Sequence, residues 1–301
     1  MTNTSTPVNT TINSFGIDTA TMLMEFNVSE WTARKLDKKE SAEVVERAGA
    51  KDKGAARVNK SLMAGRTELD DIHKIASAAR VYVYGNTSEW SPGQRWIPMA
   101  RLLKVDKRMA DYKLEFETEV DSFCDVYPHL ITAQAMALGD MFDRNEFPSV
   151  HEIRRKFNFS YDFFTVPNTN DFRVAIPAAA QADLRERMEK AMNQRVENAV
   201  GGMRKQLGEH MKRMSARLVT VTDKDGAPKA TAFHDTLVTG AYELIDLIKE
   251  LNVIGDMELT TACARLEAVM GGCTTKTLKE DDVKRDDVKK EVDSILSAFN
   301  F

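Results

Sequence analysis

Residues 178–218, AAAQADLRERMEKAMNQRVENAVGGMRKQLGEHMKRMSARL, decide the fold class. Leu184, Met188, Met192, Val196, Val200, Met203, Leu207, Met211, Met214 and Leu218 recur in steps of three and four. That spacing lays one apolar stripe along a helix, and charges of both signs fill the other faces. At 1.5 Å per residue such a helix spans roughly 60 Å. A rod of that length needs a partner along most of it, because an isolated helix is marginal in water.

Residues 99–139 supply a second long helix. From Leu102 through Val105, Met109, Tyr112, Phe116, Val120, Phe123 and Tyr127 to Leu130 the apolar positions advance at a mean of about 3.5 residues, a heptad-like seam. Pro128 should kink it. The two helices have similar lengths, so the simplest expectation is antiparallel packing. The fold class expected is therefore mainly α: an elongated antiparallel helical hairpin or bundle with a small β-containing aromatic tip. The tip occupies residues 140–177. Ser149 and Glu152 have the spacing of a capping box. The run KFNFSYDFFTVPNTNDFRVAIP predicts a small hairpin or two extended strands around Pro167. Half of the fourteen phenylalanines lie between 142 and 172, which suggests a compact mini-core rather than a membrane-facing surface.

The remaining chain divides around this hairpin. Residues 1–19, rich in Thr, Asn and Ser, form a disordered arm with little to bury. Residues 20–98 make an N-terminal helical region. In it ATMLMEFNV is a strand or a helix start, Ser29 caps a helix reaching about Ala48, and GAKDKGAARVNKSL is a flexible linker. That linker lacks the Gly-Lys-Ser/Thr ending of a phosphate loop. A helix over 66–84 ends at Gly85-Asn86. The loop TSEWSPGQRWIPM holds Trp90, Arg95 and Trp96. Together they form either a recognition surface or, the better reading, a plug between helices. Residues 219–301 make a C-terminal helical region. It has a hairpin or extended loop at Asp225-Gly226, a helix over 235–251 capped by Asp235, another over 256–270, and a charged tail helix. That tail could pack on its own chain or on a neighbour.

A net charge of −4 speaks against a generally basic nucleic-acid binder, although local patches remain. The basic positions singled out are Arg154, Arg155 and Lys156, and on the long helix Arg204, Lys205, Lys212, Arg213 and Arg217. They would follow a phosphate backbone or complement acids on a neighbouring helix, and the second reading is preferred. Gly201 and Gly202, inside the long helix, mark a hinge, a close approach or a simple bend. Cys124, Cys263 and Cys273 have no zinc-type spacing and suit reduced thiols. No HExxH, His-x3-His or Gly-x-Ser-x-Gly pattern occurs, so no catalytic residue, cofactor or metal is expected. No apolar run is long enough to span a membrane as a helix, and the N-terminus lacks a signal-peptide pattern.

Several stretches resemble a phage-encoded domain family of unknown function. They are YGNTSEW and RWIPMARLL, YKLEFETEVDSF, LGDMFDRNEFPSVHEIRRKFNFSYDFFTVPNTNDFRVAIP and HDTLVTGAYELIDLIKELNVIGDMEL. The likeness covers roughly residues 20–260, and Phe-Pro-Ser-x-x-Glu-Ile-Arg-x-x-Phe is its most specific piece. It implies a bacteriophage or mobile-element origin and therefore the host cytoplasm. Members are often encoded beside a MoxR-type AAA+ ATPase and a von Willebrand A or cobalt-chelatase-like protein. The family has no assigned catalytic residues. The N-terminal arm, the VTVTDKDGAPKAT insert and the charged tail depart from it. The function expected is a non-catalytic, self-associating helical scaffold or adaptor working with a AAA+ ATPase. The alternatives are a DNA-binding or strand-annealing protein, favoured less, and a membrane-active helical stalk, favoured least.

Overall fold

The computed structural model describes residues 17–167, 178–222 and 228–299. The chain is mainly helical with small antiparallel sheets. In order the elements are α1 (Ile17–Ala20), β1 (Thr21–Ser29), β2 (Arg34–Asp37), α2 (Lys38–Arg47), β3 (Val58–Ser61), α3 (Asp70–Asn86), β4 (Ser88–Ser91), β5 (Gln94–Pro98) and α4 (Met99–Leu138). Then follow α5 (Val150–Arg154), β6 (Asn158–Thr165), α6 (Ala178–Arg217), β7 (Thr220–Thr222), β8 (Pro228–Ala230), α7 (Thr236–Leu251), α8 (Met257–Met270), α9 (Thr275–Glu280) and α10 (Asp282–Ala298). Two compact units form. Residues 26–81 and 106–161 make one, and the described parts of 1–25, 82–105 and 162–301 make the other. Each unit is discontinuous in sequence. The hydrogen-bonded order of the largest sheet is β4-β5-β1-β6.

The unit of 26–81 and 106–161 is built on α4. Met109, Tyr112, Phe116, Val120, Phe123, Tyr127 and Leu130 are all buried, so the heptad-like seam is the buried face. Aromatic rings cover it. Phe159 lies 5.5 Å from Phe116, Phe157 lies 5.9 Å from Phe123, and Trp31 meets Tyr127 edge-on at 5.8 Å. Such pairs add about 0.5–1.5 kcal/mol each beyond the area they bury. Phe157 and Phe159, which follow α5, thus cover α4 in this unit. The capping box at α5 forms as its spacing requires: the Ser149 amide donates to Glu152 Oε2 at 2.8 Å, and the Glu152 amide donates to Ser149 Oγ at 3.3 Å. Lys60, on β3, is buried, forms an ion pair with Glu146 at 2.7 Å and donates to the Met141 carbonyl at 2.8 Å. Its ammonium has a raised pKa, chiefly through the Glu146 hydrogen bond.

Two expectations for this stretch are corrected. Ser29 ends β1 instead of capping a helix, and the cap of α2 is Asp37, which accepts from the Glu40 amide at 3.1 Å. The basic segment after α2 is not only linker, because Val58–Ser61 pairs antiparallel with Arg34–Asp37.

In the other unit α6 is the central element. Burial begins at Met192 and continues through Val196, Val200, Met203, Leu207, Met211, Met214 and Leu218. One cluster joins this stripe to Ala241, Ile245 and Ile248 of α7, Leu259, Ala262 and Leu266 of α8, and Val288, Val292 and Ile295 of α10. Each fully buried Leu, Ile, Val or Met contributes on the order of 1.5–3 kcal/mol, so the stripe accounts for much of this unit's stability. The charged tail packs on its own chain through α10. The seam from Met109 to Leu130 lies in one unit and the stripe from Met192 to Leu218 in the other. At the α9–α10 corner Arg285 is wholly buried; it donates to the Leu278 carbonyl at 3.0 Å and to Thr220 Oγ1 at 2.9 Å, and pairs with Asp282.

The segment expected as a loop around Trp90 is a hairpin. β4 and β5 pair antiparallel, and Pro92-Gly93 turns the chain with Gly93 at φ +83°, a conformation that favours glycine. β5 also pairs with β1, Thr21 opposite Pro98 and Glu25 opposite Gln94. The expected hairpin at 157–177 contributes β6; residues 168–177, including Phe172, lie outside the described residues. β7 and β8 form the hairpin expected after α6, and its Asp225-Gly226 turn also lies outside them. Of the N-terminal arm only residues 17–19 are described, and Ile17 is buried. Asp235 makes no side-chain cap on α7. The first turn is instead tightened by Leu237 N to His234 O and Val238 N to Asp235 O, both 3.0 Å.

Candidate functional site

The last turns of α6 and the first turns of α7 enclose a groove of about 810 Å³. His210, Arg213 and Arg217 line it from α6, at the i, i+3 and i+7 spacing that shares one helix face. Phe233 and His234 line it from the connecting segment, and Leu237 and Gly240 from α7. That segment is held to the end of α6 by the Thr231 hydroxyl on the Arg217 carbonyl, and to the residues just after it by the Thr231 amide on the Val219 carbonyl at 3.3 Å.

His210 is buried, with its Nε2 3.0 Å from the Leu237 carbonyl. A carbonyl accepts only, so Nε2 carries the proton and Nδ1 is left with a lone pair. Arg213 Nη2 donates to that nitrogen at 3.3 Å. Burial lowers the His210 pKa, the Leu237 hydrogen bond opposes the shift, and the Arg213 charge adds to it. The ring packs closely on Gly240, where a Cβ would come 3.3 Å from His210 Cε1.

The other basic residues singled out from sequence are placed differently. Arg204 pairs with Asp256, and with Glu258 at 2.8 Å, so it joins α6 to the start of α8. Lys205 lies 4.0 Å from Glu209 of its own helix, and Lys212 is exposed on α6. Arg154 pairs with Asp121, which raises its pKa first through the hydrogen bond and then through charge. Arg155 and Lys156 are exposed. The structure thus brings Arg213 and Arg217 together at one cavity and commits Arg204 and Arg154 to carboxylates.

Trp90 and Trp96 are both buried, 5.5 Å apart, in the α6 cluster. Arg95 bonds to Thr87 Oγ1 at 2.5 Å and to the Thr87 carbonyl at 3.1 Å, and lies 4.3 Å over Tyr84. Burial lowers its pKa. These three side chains fill space inside the unit. Gly201 and Gly202 sit in an unbroken α6, and a Cβ at either would meet nothing within 4 Å. Close approach is therefore not what they provide.

The three thiols are buried and their pKa values raised by desolvation, that of Cys263 to about 11. Among the described residues no group of three or more His, Cys, Asp or Glu could hold a metal ion, and no helix is long and apolar enough to cross a membrane. A second cleft, of about 670 Å³, lies between α2 and residues 50–57, where Glu46, Lys51, Lys53 and Arg57 surround Ala42, Val45, Ala50 and Ala56. His210, Phe233, His234 and Gly240 had not been singled out from sequence. The usable signal was His210 on the same helical face as Arg213 and Arg217.

A family model for a protein of unknown function, DUF3150, matches residues 19–225. The chain belongs to the DUF3150 family. No curated protein and no solved structure matches it. The DUF3150 match contains His210, Arg213 and Arg217 and stops before Phe233, so the α6 wall of the groove lies inside the family region and the α7 wall beyond it.

Proposed function

We propose that the protein is a non-catalytic helical adaptor that self-associates and serves a AAA+ ATPase system encoded by a phage or mobile element. The observation that carries self-association is the outer face of α4. Leu114 and Met136, both in the unit of 26–81 and 106–161, are 67% and 90% exposed. At roughly 100° per residue their 22-residue spacing returns the two to within about 40° of one another. Two copies laid antiparallel would bring Leu114 of one against Met136 of the other and cover both. The ATPase partner rests on the family resemblance alone.

Light scattering across micromolar concentrations tests the reading. A dimer or larger species is expected, and Leu114→Glu with Met136→Glu should dissociate it. A monomer throughout, with no co-purification of a AAA+ ATPase encoded beside the gene, would end the proposal.

A second reading, nucleic-acid binding, draws on Arg155, Lys156 and Arg217. These are exposed and their side chains have no hydrogen-bond or ion-pair partner among the described residues. A gel shift at low salt decides it, because phosphate contacts weaken steeply with salt. No shift at micromolar protein would close this reading.

A further inference from the structure

We infer that the groove between α6 and α7 docks an acidic peptide segment of a protein partner, with carboxylates held by Arg213 and Arg217 and an apolar side chain seated beside Ala216, Leu237 and Gly240. The site deepens the adaptor reading, on which it rests for a protein occupant rather than a small molecule.

The first support is charge without compensation. Arg204 and Arg213 lie on the same helix, yet Arg204 is neutralised by two carboxylates while Arg213 is steadied by the lone pair of a neutral imidazole. An imidazole orients the guanidinium and leaves its positive charge in place. Among the described residues Arg217, one turn on, has no side-chain partner and no carboxylate lines the groove. Asp235 is next to His234 in sequence but is not part of the wall. Two guanidiniums at i and i+4 present forked donors suited to carboxylate oxygens.

The second support is the lining between the charges. Ala216, Ala232, Leu237 and Gly240 make a small aliphatic floor. Phe233 is buried, and the Lys279 ammonium lies 5.4 Å over its ring. That ring offers no open platform for a stacked base, which single-strand binding requires. A volume of about 810 Å³ is within the range that encloses a few side chains rather than tracking a long backbone.

The test is fluorescence anisotropy of the full chain with a labelled peptide alternating Glu and Leu. The same peptide with Gln for Glu and a labelled single-stranded oligonucleotide serve as comparison probes. Saturable binding of the acidic peptide is expected, weakened at least tenfold by Arg213→Gln with Arg217→Gln and by Ala216→Glu, which places a like charge on the floor. Arg155→Gln should leave it unchanged, and circular dichroism checks that each variant folds. No saturation by 1 mM peptide, equal binding of the Gln peptide, or indifference to the groove variants would each overturn the proposal. Oligonucleotide binding lost in the same variants, without peptide binding, would overturn it in favour of nucleic acid. Peptide binding by a strictly monomeric chain would sustain the site while ending the self-association reading.

Discussion

Gly201→Ala and Gly202→Ala should stabilise the protein, singly and together. Both positions lie inside α6, where glycine costs roughly 1 kcal/mol relative to alanine because its backbone loses more freedom on folding. Neither has a positive φ, and a methyl group at either finds no atom within 4 Å. No steric cost therefore opposes the gain, and the double variant should gain about 1–2 kcal/mol. For a unit of this size that corresponds to about 3–6 °C in Tm. Urea unfolding followed by far-ultraviolet circular dichroism gives the free energy, and calorimetry gives Tm. An unchanged or lowered stability would refute the reasoning. If the pair serves as a hinge, the stabilised variant should lose partner binding while gaining Tm.

Other outcomes follow from the same packing. Folded His210 has a lowered pKa, so in the window falling from its ordinary value of 6.5 the unfolded chain takes up this proton first. Stability is present above that window and declines as pH falls through it. Unfolding free energies at pH 8 and pH 5.5 should differ less in His210→Leu than in wild type, and equal differences would contradict the assignment. Arg285→Met should cost about 2–4 kcal/mol, because it leaves the Leu278 carbonyl and Thr220 hydroxyl without their buried donor; chemical denaturation measures it. Phe123→Ala should cost about 3–5 kcal/mol and expose the Trp31 ring, visible as a shift in tryptophan emission. All three thiols should resist a disulfide reagent in the native state and react on unfolding, since each is buried with a raised pKa.

How much the sequence disclosed depends on the range over which each signal acts. The seam from Met109 to Leu130 and the stripe from Met192 to Leu218 were legible because helical periodicity is local and repeated many times. The Ser149–Glu152 box was legible because its two bonds span three residues. The partners of those stripes were not. Ile245, Leu266 and Val292 reach α6 only after the chain has turned back several times, and nothing in 178–218 names them. The β4–β5 hairpin was missed because Pro92-Gly93 was read as loop punctuation when it is the turn itself. Asp235 suits a cap by residue type, but the i+3 bonds at its helix start leave its side chain no part in the cap. The basic face of α6 was visible from spacing alone. That Arg204 is spent on Asp256 and Glu258 while Arg213 rests on His210 depends on which segments α6 meets, and so required the fold.

Everything proposed for the groove requires α6 to be the spine of a core completed by α7, α8 and α10. Native-state hydrogen exchange resolved along the chain measures this most directly. Amides of Met192–Leu218 should share the protection of those in α7, α8 and α10 and be released with them in one cooperative step. Exchange of α6 at a separate, lower free energy, with the C-terminal helices still protected, would contradict it.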